Sequence, residues 1–179
     1  MATEITLSDL EKSIRTVPDF PKPGIQFKDI TTALKSPEIF NFMVEELYSY
    51  YKDAGITKVV GVEARGFILG SALAYKLNAG FVPIRKPGKL PAETYSKSYS
   101  LEYGEDTLEI HKDALSENDV VLLHDDLLAT GGTAAATIDL IQYFNVKNIR
   151  INFICELAFL NGREKFSKEI DIFSLLKFD

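Results

Sequence analysis

Between Val121 and Thr133 the chain reads Val-Leu-Leu-His-Asp-Asp-Leu-Leu-Ala-Thr-Gly-Gly-Thr, an apolar run ending in two adjacent carboxylates and then a small turn containing glycine. The run has the character of a strand buried in a parallel sheet. The turn opens a helix whose first backbone N–H groups have no partner inside the helix, so it offers donors and partial positive charge to an anion. Asp125 and Asp126 beside it suit hydroxyl groups or a cation. A sugar phosphate answers both halves. Alone, a Gly-Gly pair is an ordinary tight turn, and adjacent acids at a strand end are commonly solvated. Their short fixed spacing is harder to explain that way, because buried strands rarely end in two unpaired carboxylates.

Other phosphate and metal motifs are absent. A Walker loop needs lysine after its last glycine, whereas Gly131-Gly132 is followed by Thr133-Ala134, and no Gly-x-Gly-x-x-Gly follows an early strand. Two histidines and one cysteine supply no zinc spacing. Any metal is therefore expected to be Mg²⁺, held mainly by substrate oxygens and water rather than directly by protein ligands. Cys155 is the lone thiol, which excludes an intrachain disulfide and reads as packing. A net charge of −6 argues against a sequence-independent nucleic-acid binder. The positive charge is nevertheless clustered: Arg85, Lys86, Lys89 and Lys97 stand around Pro87, Gly88 and Pro91 with only Glu93 interrupting. In an acidic chain that cluster favours a small anionic ligand.

These residues need a frame. At 179 residues and 46% hydrophobic composition, the chain is expected to form a single domain, 1–179. No apolar stretch reaches membrane-spanning length, and the first twenty residues carry no secretory pattern, so the expected compartment is the cytoplasm. Leu7, Leu10, Ile14 and Val17 recur at helical spacing up to Pro18. An extended, proline-framed stretch from Phe20 to Ile30 follows, and Ser36-Pro37 starts a helix that stops near Gly55. Strands are then expected at Lys58–Glu63, Phe81–Arg85, Val120–Asp125, Ile149–Glu156 and Ile170–Leu176, with helices at Gly66–Asn78 and Gly132–Phe144. This alternation implies an α/β fold with a twisted, mostly parallel sheet flanked by helices. The interval after Lys86 breaks the rhythm, and alternating residues such as Leu101, Tyr103 and Thr107 to Ile110 suggest a hairpin that serves as a lid. Ligands of such sheets bind beyond the carboxyl ends of the strands, which brings together Glu63 to Gly66, Arg85-Lys86, and Asp125-Asp126 with Ala129 to Thr133. Strand alternation turns His124 to the side of Leu122 and Asp126, away from Asp125. A packed, hydrogen-bonded histidine is the plain reading of His124, and pH sensitivity of the ribose site is the alternative.

Asp125-Asp126 through Thr133 resembles the phosphoribosyl pyrophosphate signature of the type I phosphoribosyltransferases. Other stretches are similar to the adenine-using branch of that family: Phe20-Pro21-Lys22-Pro23-Gly24-Ile25 with Phe27-Lys28-Asp29-Ile30, Glu63-Ala64-Arg65-Gly66-Phe67, and Arg85-Lys86-Pro87-Gly88-Lys89-Leu90-Pro91. So are Ser100-Leu101-Glu102-Tyr103-Gly104 and Gly162-Arg163-Glu164-Lys165.

The resemblance implies the type I phosphoribosyltransferase fold, with a base-binding segment at 1–35 and a flexible lid hairpin at 86–114. It implies transfer of a 5-phosphoribosyl group from phosphoribosyl pyrophosphate to N9 of adenine, giving AMP and pyrophosphate, with Mg²⁺ as cofactor and a homodimer as the assembly. By the same resemblance Ala129, Thr130, Gly131, Gly132 and Thr133 hold the 5′-phosphate, and Asp125 and Asp126 lie near the ribose hydroxyls. Arg65, Lys86 and Lys89 then face the pyrophosphate, Arg85 is a further substrate-binding residue, and adenine sits by Gln26 and Phe27 with the Arg65 backbone and Leu127 nearby. Glu102 is the implied proton-handling carboxylate, next to Tyr103 on the lid. A non-proline cis bond is implied near Glu63-Ala64. His124 departs from the pattern, standing where the family carries an apolar residue. Two other readings remain open: a sister enzyme for a base such as hypoxanthine or guanine, and a non-catalytic regulator that binds phosphoribosyl pyrophosphate.

Overall fold

The computed structural model describes residues 5–20, 23–24, 26–100 and 105–179. The chain begins with α1 (Leu7–Ser13), whose Thr6 and Asp9 cap each other in a reciprocal box. Helical spacing of apolar residues suggests that this helix runs on to Val17, but Arg15–Pro18 forms β1, paired antiparallel with β2 (Gln26–Asp29). Backbone pairing takes the segment out of the helix, while Ile14 is still buried in the core. The short α2 (Thr31–Leu34) was not expected from the sequence. Then comes α3 (Pro37–Tyr51), started by the Ser36 side chain, which accepts the Ile39 N–H, and by proline in its first turn.

From there the alternation holds: β3 (Lys58–Val62), α4 (Gly66–Lys76), β4 (Gly80–Ile84), the hairpin strands β5 (Thr94–Ser100) and β6 (Glu105–His111), β7 (Val120–Leu128), α5 (Gly132–Gln142), β8 (Asn148–Leu157) and β9 (Asp171–Phe178). Two 3-10 turns, Ala158–Leu160 and Gly162–Lys165, join β8 to β9. The central sheet has the order β4-β3-β7-β8-β9, and every neighbouring pair in it is parallel. β7 is longer than expected. It pairs with β8 as far as Leu128, so the two acids lie inside the strand rather than beyond its end.

Two apolar layers cover the sheet, and β7 shows the division. Leu122 packs with Leu10, Met43, Leu47 and Leu73 from α1, α3 and α4. Val121 and Leu123 face Leu140 and Ile141 of α5, with Leu108 and Ile110 of β6 on the same side. Each fully buried leucine of this kind adds about 1.5–3 kcal/mol. Because all five strands run the same way, their carboxyl ends meet at one rim, where the chemistry-bearing residues collect.

Candidate active site

The turn after β7 is built around Gly131, whose φ of +76° is a backbone state that glycine enters without strain. Gly131 caps α5, and its carbonyl accepts the Ala135 N–H at 2.9 Å. A side chain there would also meet the Gly162 carbonyl oxygen at 2.5 Å, and one on Gly162 would overlap the Ala129 carbonyl. The turn and the segment between β8 and β9 therefore interlock backbone to backbone. Beneath them Arg163 grips the buried Glu156 through two bonds of 2.6 and 2.7 Å and donates to the Ile172 carbonyl at 3.0 Å. A small cavity of about 70 Å³ opens inside the turn, lined by Ala129 to Ala134 with Leu127, Asp125 and Phe153.

A second cavity of about 230 Å³ adjoins it, with Asp125 and Thr133 common to both. Adjacent residues of a strand point to opposite faces, and the two acids use this. Asp126 turns toward α4 and forms an ion pair with Arg65. Burial works against the Arg65 charge, but the hydrogen bond and negative charge of Asp126 outweigh it and raise the guanidinium's pKa. Asp125 turns toward the cradle and accepts the Asp126 N–H at 2.9 Å. Its carboxyl is enclosed by protein apart from the part of its surface on the cavity. Burial first, and the charge of Asp126 second, push its pKa well above the ordinary carboxylate range.

Arg85 and Lys86 of the basic cluster are already partnered within the fold. Arg85 donates to Glu63 at 3.0 and 3.3 Å and to the Lys89 carbonyl at 3.1 Å. Glu63 also accepts the Lys86 N–H, and its hydrogen bonds from Arg85 hold its carboxyl below the usual range. Lys86 reaches across the cavity to Asp106 of the hairpin at 3.1 Å, a hydrogen bond that raises its pKa. The Glu63-Ala64 peptide is cis. Tyr99, also from the hairpin, lays its ring over Gly132 and brings its hydroxyl to 3.2 Å from Thr133 Oγ1.

The third cavity, about 270 Å³, is formed by Val17, Phe20, Phe27, Asp29, Thr31 and Arg65. Phe20 and Phe27 meet edge to face at 5.2 Å, and the Arg65 guanidinium lies 5.4 Å from the Phe27 ring centre. Arg65 lines both this cavity and the 230 Å³ one. The three spaces thus form one chain, linked by Arg65 at one junction and by Asp125 and Thr133 at the other. Gln26 does not join it. On a strand it faces opposite to Phe27, and it lines a separate groove with Thr16, Lys28 and Phe178. Leu127 stands by the cradle rather than in the aromatic cavity. Glu102 and Tyr103 fall outside the described residues.

His124 is fully buried on the Leu122 side, with Nδ1 2.5 Å from Asn152 Oδ1. Burial lowers its pKa, so the ring is neutral. Sequence reasoning missed Tyr99 and Asp106. Neither gave a signal of its own, since pairing across the hairpin decides what each of them meets.

A model of the phosphoribosyl transferase domain family matches residues 28–176. The chain is 60% identical over 167 residues to an adenine phosphoribosyltransferase of Phocaeicola vulgatus, covering 93% of this chain and 96% of that one. Its fold superposes on the crystal structure of adenine phosphoribosyltransferase from Thermoanaerobacter pseudethanolicus with a TM-score of 0.92 at 51% identity, over 97% and 100% of the two chains. It superposes on the Giardia lamblia enzyme complexed with 9-deazaadenine with a TM-score of 0.93 at 44% identity, over 98% and 99%.

Proposed function

The chain belongs to the phosphoribosyl transferase family, among its adenine phosphoribosyltransferases, and from that premise we propose that it transfers the 5-phosphoribosyl group of phosphoribosyl pyrophosphate to N9 of adenine, releasing AMP and pyrophosphate. The observation that carries this reading is the run of three linked cavities, aromatic, acidic and glycine-lined in turn. That order matches base, ribose and 5′-phosphate. Adenine stacks in the aromatic cavity against Phe27, where Arg65 closes the far side. The ribose lies over Asp125 and Asp126. Its 5′-phosphate takes the N–H groups of residues 129–133 and the N-terminal end of α5.

As the bond to pyrophosphate lengthens, positive charge develops on the ribose. The two carboxylates face that charge, and it favours the ionised form of Asp125. Lys86 and Arg65 remain on the departing side, with Arg85 and Lys89 behind them. The 230 Å³ cavity presents carboxylate oxygens and no histidine or thiol, and among the described residues no three metal-ligating side chains converge. Such a lining suits Mg²⁺ bound mostly through substrate oxygens and water, where it would neutralise pyrophosphate charge. Glu102 handles the proton that adenine must redistribute as N9 becomes the nucleophile. Glu102→Gln is expected to lower kcat by about 10²-fold or more, and unchanged turnover would remove Glu102 from that role. The family resemblance extends the reading to one domain, 1–179, with a base-binding segment at 1–35 and a lid at 86–114, acting as a cytoplasmic homodimer.

The test is a panel assay with phosphoribosyl pyrophosphate, Mg²⁺ and each of adenine, hypoxanthine, guanine, xanthine and orotate. AMP formed from adenine, and little product from the other bases, is the expected result. Product from guanine in place of adenine would make the chain a sister enzyme. No product from any base would favour a regulator that only binds the donor.

A further inference from the structure

The phosphate cradle is short of positive charge. A phosphate monoester carries roughly −1.5 to −2 at neutral pH, whereas a helix N-terminus offers the equivalent of about half a positive charge. Among the described residues no lysine or arginine lines the small cavity, and Asp125 stands at its edge. Arg65 and Lys86 line the neighbouring cavity, where each is already held by an aspartate. Backbone N–H groups can satisfy the phosphate oxygens as hydrogen-bond acceptors. They leave most of the charge uncompensated beside Asp125.

One cation is placed to supply the balance. Lys165 Nζ lies 3.7 Å from the point where a Cβ on Gly132 would stand. Among the described residues no carboxylate forms a salt bridge with Lys165. Its backbone is fixed to the site it would serve. Lys165 ends the Gly162–Lys165 turn, whose Gly162 interlocks with Gly131 and Ala129 and whose Arg163 is anchored to Glu156 and the Ile172 carbonyl. Only the flexible four-carbon stem then has to settle to bring three rotatable donors onto a phosphate in the turn.

We propose that Lys165 is the counter-ion of the donor's 5′-phosphate, a binding residue delivered to the cradle by the turn between β8 and β9. The proposal rests on the phosphoribosyl transfer reading above. Its chemistry makes a directional claim: Lys165 acts on ligands that carry a 5′-phosphate and not on pyrophosphate, which occupies the other end of the site.

Calorimetric titration of the full-length protein with ribose 5-phosphate and, separately, with Mg²⁺-pyrophosphate tests it in wild type, Lys165→Met and Lys165→Arg. Loss of one charge-assisted contact is expected to weaken ribose 5-phosphate binding about tenfold in Lys165→Met. Pyrophosphate affinity should stay within about twofold of wild type, and Lys165→Arg should recover most of the loss, because the charge is what matters. In the steady state the Met variant should show a raised KM for phosphoribosyl pyrophosphate with kcat little changed. Unchanged ribose 5-phosphate affinity in Lys165→Met overturns the assignment, as does equal weakening of both ligands or an Arg variant as impaired as Met. A wild-type protein that binds neither ligand refutes the transfer reading itself, an outcome distinct from any failure of Lys165.

Discussion

The Asp125 carboxyl has its pKa raised above the ordinary carboxylate range because protein closes around it and Asp126 sets a second carboxylate alongside. In the unfolded chain the same group titrates near 3.8. Between that pH and its raised folded value the native protein binds the extra proton, so this group makes stability fall as pH rises through that window. Asp125→Asn retains an oxygen to accept the Asp126 N–H and removes the charge. We expect it to raise Tm at neutral pH by a few degrees, from about 1 kcal/mol, while turnover drops steeply. A lowered Tm in a melt at pH 7 would contradict this account of the acid pair. His124 gives the opposite case. Its pKa is lowered by burial, so it is already neutral at pH 7 and has no charge to lose as pH rises further. His124→Val should therefore leave the pH profile of kcat/KM unaltered. It strips Asn152 of its partner and should cost about 1–3 kcal/mol of stability. A shifted profile would show that the ring titrates with the ribose site after all. The side on which His124 lies was legible from strand alternation, because period two is fixed by backbone geometry. Its partner was not, since Asn152 arrives from a strand 28 residues later.

At the scale of elements, the sequence disclosed what local physics controls. The alternation of strands and helices, the cradle turn and the capped start of α3 all follow from apolar period, glycine placement and N-cap chemistry. The limits of β7 and the conversion of residues 15–18 from helix to strand did not, because each is decided by a partner distant in sequence. The Gly131 and Gly162 pair belongs with these. Neither glycine announces that it faces the other, yet the two backbones approach closely enough to exclude any Cβ. Gly162→Ala would force the Ala129 carbonyl aside, in backbone rather than in a flexible side chain. The expected result is a loss of about 1–3 kcal/mol together with a raised KM for phosphoribosyl pyrophosphate. Both can be read from a thermal melt and a donor titration, and an unperturbed KM would mean that the turn tolerates the shift.

Across the whole molecule, one-way strand polarity gathers residues from distant parts of the chain onto a single rim. The sheet type was legible in the alternation of strands and helices, and the glycine turn after β7 in one contiguous stretch of sequence. The internal pairing of Lys86 with Asp106, and of Arg85 with Glu63, was invisible in a linear list of charges. What looks like an unengaged basic patch contains cations already engaged within the fold. The placement of Tyr99 carries this further. Its ring lies against Gly132 and its hydroxyl is 3.2 Å from Thr133 Oγ1, so the hairpin leans on the glycine turn that we propose holds the phosphate. A phosphorylated molecule that enters or leaves by that route has to push a section of chain through water, and such a movement is resisted by solvent friction. Turnover is then expected to slow in proportion to microscopic viscosity when sucrose or glycerol is added, whereas an inert polymeric thickener leaves it unchanged.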